Sequence, residues 1–256
     1  MTRCDKCHRP AIIHQRYSGM HLCGEHLSQD VHRKIRESLR RTGLFSRGSC
    51  MAVGLDGGRQ SATLAHILKS IFSRRRDMEI FAVIIDMGEA GCCSASQARA
   101  VAERLEMDCR LLRWPDCDIA CDSVYERRCE ILLQAAAEMG AGILATGECL
   151  DDEALRIFVS YLRGDTGALL AGESRQKYPA WIKPLQRVPR REARLYALQH
   201  GLGFDPAAGA GRRGDLFREA ADLLGRFEGR HPGTFYSLLR GVEKGLRAKP
   251  LSVDAK

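Results

Sequence analysis

The chain has 256 residues, 45% of them hydrophobic, and a formal net charge of +8. This length can bury the core of one α/β domain with small appendages, and the positive charge favours a polyanionic partner. No run of eighteen apolar residues occurs and the polar, cysteine-bearing beginning is unlike a signal peptide, so we expect a cytoplasmic protein with no membrane partner.

Two pairs of metal-ligand residues mark the beginning of the chain. Cys4 and Cys7 form the first pair, and Cys23 and His26 form the second after fifteen intervening residues. Two residues separate the members of each pair, so both side chains can bind the same ion, and this spacing is typical of a tetrahedral zinc site. Plain burial of small cysteines is the alternative, but this segment has too few large apolar residues to fold by packing alone. The sequence therefore predicts a zinc-binding module over residues 1–28.

A basic amphipathic helix is predicted from Asp30 to Arg41, inside a linker of residues 29–48. Residues 1–48 contain ten Lys and Arg against four Asp and Glu, so most of the net charge lies at this end. A solvated helix face is the ordinary explanation, but the adjacent zinc module favours contact with nucleic acid. The candidate RNA-binding residues of this helix are Arg33, Lys34, Arg36, Arg40 and Arg41.

A strand, a tight loop and a helix are predicted from residues 51–72. The loop contains Gly57 and Gly58, and the apolar residues after it recur with helical spacing. The backbone N–H groups of the first helical turn converge at such a loop, so it can wrap a phosphate without Cβ clashes. An ordinary βα turn is the alternative. Two further hydrogen-bond donors in this loop are Arg59 and Ser61.

After this loop, predicted strands and helices alternate as in a parallel, doubly wound sheet. The predicted strands cover 79–86, 109–114 and 142–146, and the predicted helices cover 95–105, 122–139 and 151–162. In such sheets ligands bind beyond the carboxyl ends of the strands. Polar residues follow three of these ends, at the glycine loop, at Asp86-x-Gly88 and from Thr146 to Glu153.

The paired acids Asp151 and Asp152 allow two interpretations. As residues of a first helical turn they favour the helix dipole, which is the commoner role of such a pair. Facing the phosphates of a nucleotide, their oxygens would instead hold Mg2+. Their spacing alone favours the dipole interpretation.

Taken together, these motifs resemble the PP-loop family of N-type ATP pyrophosphatases, in its tRNA 2-thiouridine synthetase branch. The family loop S-G-G-x-D-S becomes D-G-G-R-Q-S here, with departures at Asp56 and Gln60. The family motif T-G-H-N-L-D-D-E-A becomes T-G-E-C-L-D-D-E-A from Thr146 to Ala154. Further similar segments are Asp86-x-Gly88-x-x-Gly91, Arg127-Arg128, Lys183-Pro184-Leu185, Glu192-x-x-x-Tyr196-Ala197 and His231-Pro232-Gly233-Thr234.

The resemblance implies a doubly wound α/β sheet of the adenine nucleotide alpha-hydrolase type over residues 49–202, then a basic loop and C-terminal helices over 203–256. It implies an ATP-dependent tRNA sulfurtransferase that adenylates the C2 carbonyl of a uridine and replaces its oxygen with sulfur. AMP is a better leaving group than oxygen, and Mg2+ neutralises the expelled pyrophosphate. The implied partners are tRNA and a sulfur donor, either sulfide or a sulfur-carrier protein, and a homodimer is compatible with the sequence.

The same resemblance implies site residues, and it reverses the interpretation of the acidic pair, so that Asp151 and Asp152 become Mg2+ ligands. Asp56 would compensate for the carboxylate that is lost at Gln60. The implied nucleotide-binding residues are Asp56, Gly57, Gly58, Arg59, Ser61, Asp86, Gly147 and Asp151. Later arginines implied to contact RNA are Arg190 and Arg191, with Arg187 and Arg194.

The eleven cysteines favour metal binding, catalysis or burial over a disulfide scaffold. In the family, a Cys-x-x-Cys and a later third cysteine hold an iron–sulfur cluster or relay sulfur. This chain has Cys117, Cys121 and Cys129, and no cysteine follows Cys149. The implied catalytic residues are Asp152, Cys149 and Cys121, with a cluster of Cys117, Cys121 and Cys149 as an alternative role.

For each of these cysteines, a partly buried thiol is the ordinary alternative. Two other functions also stay open. One is a protein that binds tRNA and nucleotide without catalysis, and the other is a PP-loop ligase that uses a different nucleophile.

Overall fold

The structure is a computed structural model that describes residues 2–45, 48–88, 94–115, 124–165, 178–203 and 214–248. The strands are β1 (Ile13–Gln15), β2 (Met20–Leu22), β3 (Ser49–Leu55), β4 (Met78–Asp86), β5 (Cys109–Arg113), β6 (Ile143–Ala145) and β7 (Ala180–Ile182). The helices are α1 (Gly24–Thr42), α2 (Arg59–Phe72), α3 (Ala95–Arg104), α4 (Val124–Glu138), α5 (Leu150–Leu162), α6 (Arg190–Gln199), α7 (Asp215–Arg230) and α8 (Thr234–Ala248).

A five-stranded parallel sheet has the order β5-β4-β3-β6-β7. Met51 of β3 lies opposite Ile80 of β4 on one side and Ile143 of β6 on the other. Strands β4 and β5 therefore lie on one side of β3, and the later strands β6 and β7 lie on its other side. Ligands of doubly wound sheets bind at this reversal, between β3 and β6. The predicted α/β fold with a parallel sheet is confirmed.

Side chains of the sheet alternate between two apolar layers, as the pleat requires. Along β4, Ala82 and Ile84 pack in the layer that contains α2 and α3. Phe81, Val83 and Ile85 face the opposite layer, which α4 covers. Both faces are thus buried, which explains why these strands read as nearly continuous apolar runs.

Helix α1 begins at Gly24, six residues before the predicted start at Asp30. Cys23 is its N-cap residue, with extended backbone angles, so His26 already lies in the first turn. The sequence interpretation treated this segment only as a pair of metal ligands and missed its helical spacing. The stripe Leu27, Val31, Ile35 and Leu39 is buried in the same core as the sheet.

The C-terminal helices α7 and α8 cover α5 from outside. Leu150 and Ile157 of α5 pack against α8, and Leu155 packs against α7. This packing fixes α5, whose N-terminus follows the carboxyl end of β6. Within the described residues, no helix combines the length and apolar character needed to cross a membrane.

Candidate nucleotide and metal sites

The glycine loop joins β3 to α2 in a geometry that depends on glycine. Gly57 has φ of +78°, and a Cβ added there would lie 2.5 Å from the carbonyl oxygen of Ser94. Gly58 is the N-cap residue of α2. Helix α2 therefore begins directly after the carboxyl end of β3, and the N–H groups of its first turn, which have no acceptor within the helix, are the groups that bind phosphate at such junctions.

The carboxylate of Asp56 lies inside this loop. Its Oδ1 atom accepts hydrogen bonds from the Gly58 N–H, at 2.9 Å, and from the Ser61 hydroxyl. Its Oδ2 atom lies 3.4 Å from Nη2 of Arg128, on α4. Two of the donors predicted to contact phosphate are thus engaged by a carboxylate of the loop itself. Arg128 was recognised only as part of a motif, and its pairing with Asp56 was missed.

The end of β6 approaches this loop closely. A Cβ added to Gly147 would lie 3.0 Å from the backbone nitrogen of Ser61, so glycine is needed where the two segments meet. Asp86 lies at the end of β4, on the other side of β3, and its Oδ1 atom accepts the Gly88 N–H at 3.0 Å. The three predicted strand ends therefore lie along one edge of the sheet. Arg59 begins α2 at the same edge.

Glu148, which sequence reasoning did not select, is a further residue of this edge. Its Oε1 atom accepts a hydrogen bond from the Tyr125 hydroxyl at 3.3 Å. Its Oε2 atom is buried and has no hydrogen-bond partner among the described residues. Burial raises the pKa of the Glu148 carboxyl, although the charge of Lys183 opposes this. The sequence does contain a signal for this residue, because Glu148 stands where the family motif has histidine.

Asp151 and Asp152 are engaged at the N-terminus of α5. The Oδ2 atom of Asp152 accepts the Cys149 N–H at 3.1 Å, and its Oδ1 atom lies 2.5 Å from Nη2 of Arg190. The Oδ2 atom of Asp151 accepts the Arg190 N–H at 2.7 Å. Both acids therefore stabilise the start of a helix and hold Arg190. In this pairing they do not fit a magnesium site, and their role as ligands stays a prediction.

Cys149 is fully buried as the N-cap residue of α5. Burial raises the pKa of its thiol well above the usual range, and the charge of Asp152 raises it further. Nucleophilic cysteines act as thiolates, so this environment does not favour Cys149 as a free nucleophile. A catalytic role for Cys149 stays a prediction that its surroundings do not favour. Cys117 and Cys121 lie outside the described residues.

The predicted zinc ligands come together at the start of α1. The Nδ1 atom of His26 lies 3.4 Å from Sγ of Cys4 and 3.3 Å from Sγ of Cys23, and Sγ of Cys7 lies 3.6 Å from that of Cys23. All four ligand atoms lie within 4.8 Å of one another. Zinc–sulfur bonds of about 2.3 Å place sulfurs of a tetrahedron roughly 3.8 Å apart, so this donor set fits the metal.

Four of the five candidate RNA-binding residues on α1 are exposed. Arg33, Arg36 and Arg40 line a surface cavity of about 610 Å3, and Arg41 pairs with Glu37. Arg36 and Arg40 have no carboxylate partner within the described ranges. Arg190 and Arg191 of α6 are both exposed, but Arg190 is bound to Asp152.

Lys34 differs from these arginines because it faces the core. Its side chain is 9% exposed, and its Nζ atom lies 2.9 Å from Asp30 and 2.7 Å from Glu192. Gln15 of β1 also donates to both carboxylates. Position 34 follows Val31 by three residues on the buried stripe, so the prediction that it forms part of an exposed basic face is not met. The network links the zinc module to α6.

A second polar cluster surrounds Tyr196, a fully buried residue of α6. Its hydroxyl lies 2.9 Å from Nε2 of His32 and 2.9 Å from Nδ1 of His66. The ring of His200 stacks on the Tyr196 ring, with centroids 4.2 Å apart. Burial lowers the pKa of His32 to about 4, so it is neutral at pH 7.

A glycine loop that meets a second strand end where the strand order reverses defines a nucleotide-binding α/β protein. A family model described as the PP-loop domain matches residues 27–207, and one described as the N-terminal LIM domain of 2-thiouridine synthetase TtuA matches residues 3–28. The chain therefore belongs to the PP-loop family, as the motifs indicated.

Named relatives agree with this assignment. The tRNA 2-thiolation protein NcsA of Haloferax volcanii is 31% identical over 94% of this chain and 86% of the relative. The tRNA-5-methyluridine(54) 2-sulfurtransferase of Pyrococcus horikoshii is 28% identical over 94% of this chain and 82% of the relative. The structure resembles the U34-tRNA thiolase NcsA from Methanococcus maripaludis with its [4Fe-4S] cluster, with a TM-score of 0.87, 26% identity and coverage of 98% and 89%.

Proposed function

We propose that this protein is an ATP-dependent tRNA 2-thiolation enzyme, which adenylates the C2 carbonyl of a uridine and then exchanges its oxygen for sulfur. The observation that carries the proposal is the glycine loop at the reversal of the strand order, where Gly57 has a positive φ and Gly58 begins α2. Relatives named as tRNA 2-thiolation proteins and 2-sulfurtransferases, which align with 94% of the chain, support this substrate class.

In this proposal the edge of the sheet binds and orients ATP. The first turn of α2 and the Ser61 hydroxyl would bind the phosphates, and Gly147 lets the end of β6 approach them. Adenylation is the step that needs ATP, because AMP leaves C2 more readily than oxygen does. A sulfur donor at the oxidation level of sulfide would then supply the nucleophile.

The proposal assigns tRNA to the exposed arginines of α1 and to Arg191. Arg36 and Arg40 support it best, since they are exposed and lie one turn apart on the same cavity. Unpaired arginines exchange counterions for phosphates at little cost, whereas Arg33 and Arg41 would first have to leave a carboxylate.

For metals, we propose a structural zinc ion held by Cys4, Cys7, Cys23 and His26. It would lock the hairpin β1–β2 onto the start of α1 and so orient the basic face of α1. No step is derived through magnesium or an iron–sulfur cluster, because Asp152 is paired with Arg190 and because Cys117 and Cys121 lie outside the described residues.

A second candidate function is a binding protein that holds tRNA and nucleotide without turnover. The observation that favours it is Asp56, whose carboxylate engages two donors of the phosphate loop. In this second candidate function the loop is a structural turn whose donors bind Asp56 and do not take part in turnover. The zinc module and the basic face of α1 still bind RNA.

Pyrophosphate release separates the two candidates. The wild-type protein is purified anaerobically and incubated with ATP, Mg2+, tRNA and sulfide, and pyrophosphate and thiolated nucleosides are measured. We expect tRNA-dependent release of pyrophosphate with one 2-thiouridine formed per turnover. Binding of ATP and tRNA without turnover would establish the second candidate.

A pair of valine variants tests whether the loop is responsible. Gly58→Val places a branched side chain in the phosphate loop and should abolish turnover. Gly225→Val is the matched control, because a Cβ at Gly225 of α7 meets nothing within 4 Å. If both variants keep wild-type turnover, ATP is bound elsewhere and the proposal fails.

A further inference from the structure

The carboxylate of Glu148 lies where the carboxyl end of β6 meets the glycine loop. It follows Gly147, whose backbone is in close contact with the first turn of α2. The hydroxyl of Tyr125, on α4, donates a hydrogen bond to Oε1 at 3.3 Å. Oε2 is buried and has no partner in the part of the chain that the structure describes.

A buried polar atom without a hydrogen-bond partner destabilises a fold, and more so when it is charged, so such an atom requires an explanation. Neighbouring buried acids show the contrast. Asp56 is engaged by Gly58, Ser61 and Arg128, and Glu153 lies 2.9 Å from both Lys183 and Arg156. The charges of Lys183 and Arg128 and the side chain of Thr146 also act on the Glu148 carboxyl. Its Oε2 atom nevertheless has no hydrogen-bond partner among the described residues, so this oxygen can still accept one.

A carboxylate oxygen accepts hydrogen bonds, so its natural ligand is an N–H donor. The uridine proposed as substrate has one such donor, N3–H, directly beside the C2 carbonyl that reacts. The C2 oxygen must approach the α-phosphate of ATP at the glycine loop, and Glu148 adjoins that loop through Gly147. An acceptor at this position can meet N3–H while the neighbouring oxygen faces the phosphate.

We propose that Glu148 is a catalytic residue of the thiolation reaction: its unpartnered oxygen accepts the N3–H of the target uracil and takes that proton during adenylation. This inference rests on the proposed function. It goes beyond it by assigning the base of the activation step to a residue at which the chain departs from the family motif.

Adenylation exchanges one bond at the α-phosphorus for another and transfers one proton. The C2 oxygen forms a bond to the α-phosphorus, and the bond from that phosphorus to pyrophosphate breaks. The N3–H bond breaks, its electron pair forms the N3–C2 double bond, and the proton passes to Glu148. When a sulfide-level donor then adds to C2, Glu148 returns the proton to N3, AMP leaves, and the remaining S–H proton goes to solvent.

The surroundings of Glu148 suit this role. Burial raises the pKa of the Glu148 carboxyl, while the charges of Lys183 and of Arg128 on α4 lower it, and the net upward direction is the one that favours a general base. The hydrogen bond from Tyr125, at 3.3 Å, engages Oε1 and leaves Oε2 as the oxygen that can accept a proton. The ring of Tyr125 also contacts that of Trp181, with centroids 6.3 Å apart.

The test compares Glu148→Gln with the wild-type protein in tRNA-dependent pyrophosphate release. Glutamine keeps the shape and the acceptor oxygen but cannot take a proton. We expect the rate to fall about 10²- to 10⁴-fold, the usual contribution of a general base. Affinities for ATP and tRNA, measured by calorimetry, should not change. Glu103→Gln, at an exposed position of α3, is the matched control.

The pH profile distinguishes a base from a structural residue. The wild-type rate should rise tenfold per pH unit below the pKa of Glu148 and then level off, and Glu148→Gln should lose this limb. Glu148→His restores the residue of the family motif and should recover part of the rate. In this variant the pH-dependent rise of the rate should level off near the ordinary histidine pKa of about 6.5.

Three outcomes would overturn the inference. A fully active Glu148→Gln variant, with active wild-type protein, would refute it and leave the proposed function intact. A loss of rate matched by an equal loss of ATP affinity would assign Glu148 to nucleotide binding instead. Wild-type protein that forms no thiolated nucleoside would refute the proposed function and this inference with it.

Discussion

Replacing Asp56 should strengthen ATP binding, because its carboxylate lies where phosphate charge must accumulate. Its Oδ1 atom is 2.9 Å from the Gly58 nitrogen, one of the donors that a phosphate would use. Two unit charges about 4 Å apart repel by roughly 4 kcal/mol at the effective dielectric constant of about 20 found near protein surfaces. The guanidinium of Arg128, 3.4 Å from Asp56, offsets part of this repulsion.

If about a third of that repulsion survives, roughly 1.4 kcal/mol remains, which corresponds to tenfold tighter binding. Asp56→Asn removes the charge and keeps an oxygen that can accept the Gly58 N–H. Asp56→Ser restores the first residue of the family loop. We expect both variants to bind ATP about tenfold more tightly in calorimetry, with a smaller gain at high salt because the repulsion is screened.

The opposite result would refute this reasoning. If both variants bind ATP more weakly, Asp56 contributes to binding, as it would if it replaced the carboxylate lost at Gln60. If Asp56→Asn binds like wild type and only Asp56→Ser weakens binding, the hydrogen bond to Gly58 matters and the charge does not. Asp222→Asn, at an exposed position of α7, controls for general charge effects.

Three further predictions concern the rest of the molecule. Cys23→Ser should release about one equivalent of zinc and lower the Tm, as measured by elemental analysis and thermal unfolding; unchanged metal content would exclude Cys23 as a ligand. Arg36→Glu with Arg40→Glu should weaken tRNA binding and reduce its salt slope by about 0.7–0.9 per lost phosphate contact, whereas Arg226→Glu on α7 should not. The pKa of His32 is lowered to about 4, so the unfolded chain binds a proton that the folded state excludes. Stability should therefore fall as pH drops from about 6.5 toward 4, and His32→Asn should flatten that slope between pH 7 and 5; an unchanged slope would contradict it.

Much of the fold could be predicted because its signals are local. The helical spacing after Gly58 and the apolar runs of β4 and β6 located these elements to within one or two residues of their observed ends. Strands β1, β2, β6 and β7 have three residues each, too few to show a period, and only β6 was recognised, as an apolar run. The early start of α1 was missed because Cys23 and His26 have two roles, as ligands and as residues of a helix N-terminus.

The sequence predicts that the site lies at the carboxyl edge of the sheet, but it does not predict which side chains pair with each other there. Strand ends identify the edge, since the carboxyl ends of parallel strands lie together. Pairings across the chain are set by tertiary contact and leave no local trace: Lys34 and Glu192 are 158 positions apart, and Asp56 and Arg128 are 72 apart. A basic residue on a basic helix was therefore assigned to the surface although it lies in the core.

The departures of this chain from the family pattern are connected through Arg128. The loop has lost a carboxylate at Gln60, and the same edge has gained carboxylates at Asp56 and Glu148. Arg128 pairs with Asp56, and its charge also lowers the pKa of Glu148 against the effect of burial. One guanidinium thus acts on both acids, so the charge on Asp56 influences how readily Glu148 ionises. Removing Asp56 would leave the positive charge of Arg128 less compensated and would hold Glu148 in its ionised form to lower pH. The two substitutions are therefore expected to act together, because each acid compensates part of the charge that acts on the other.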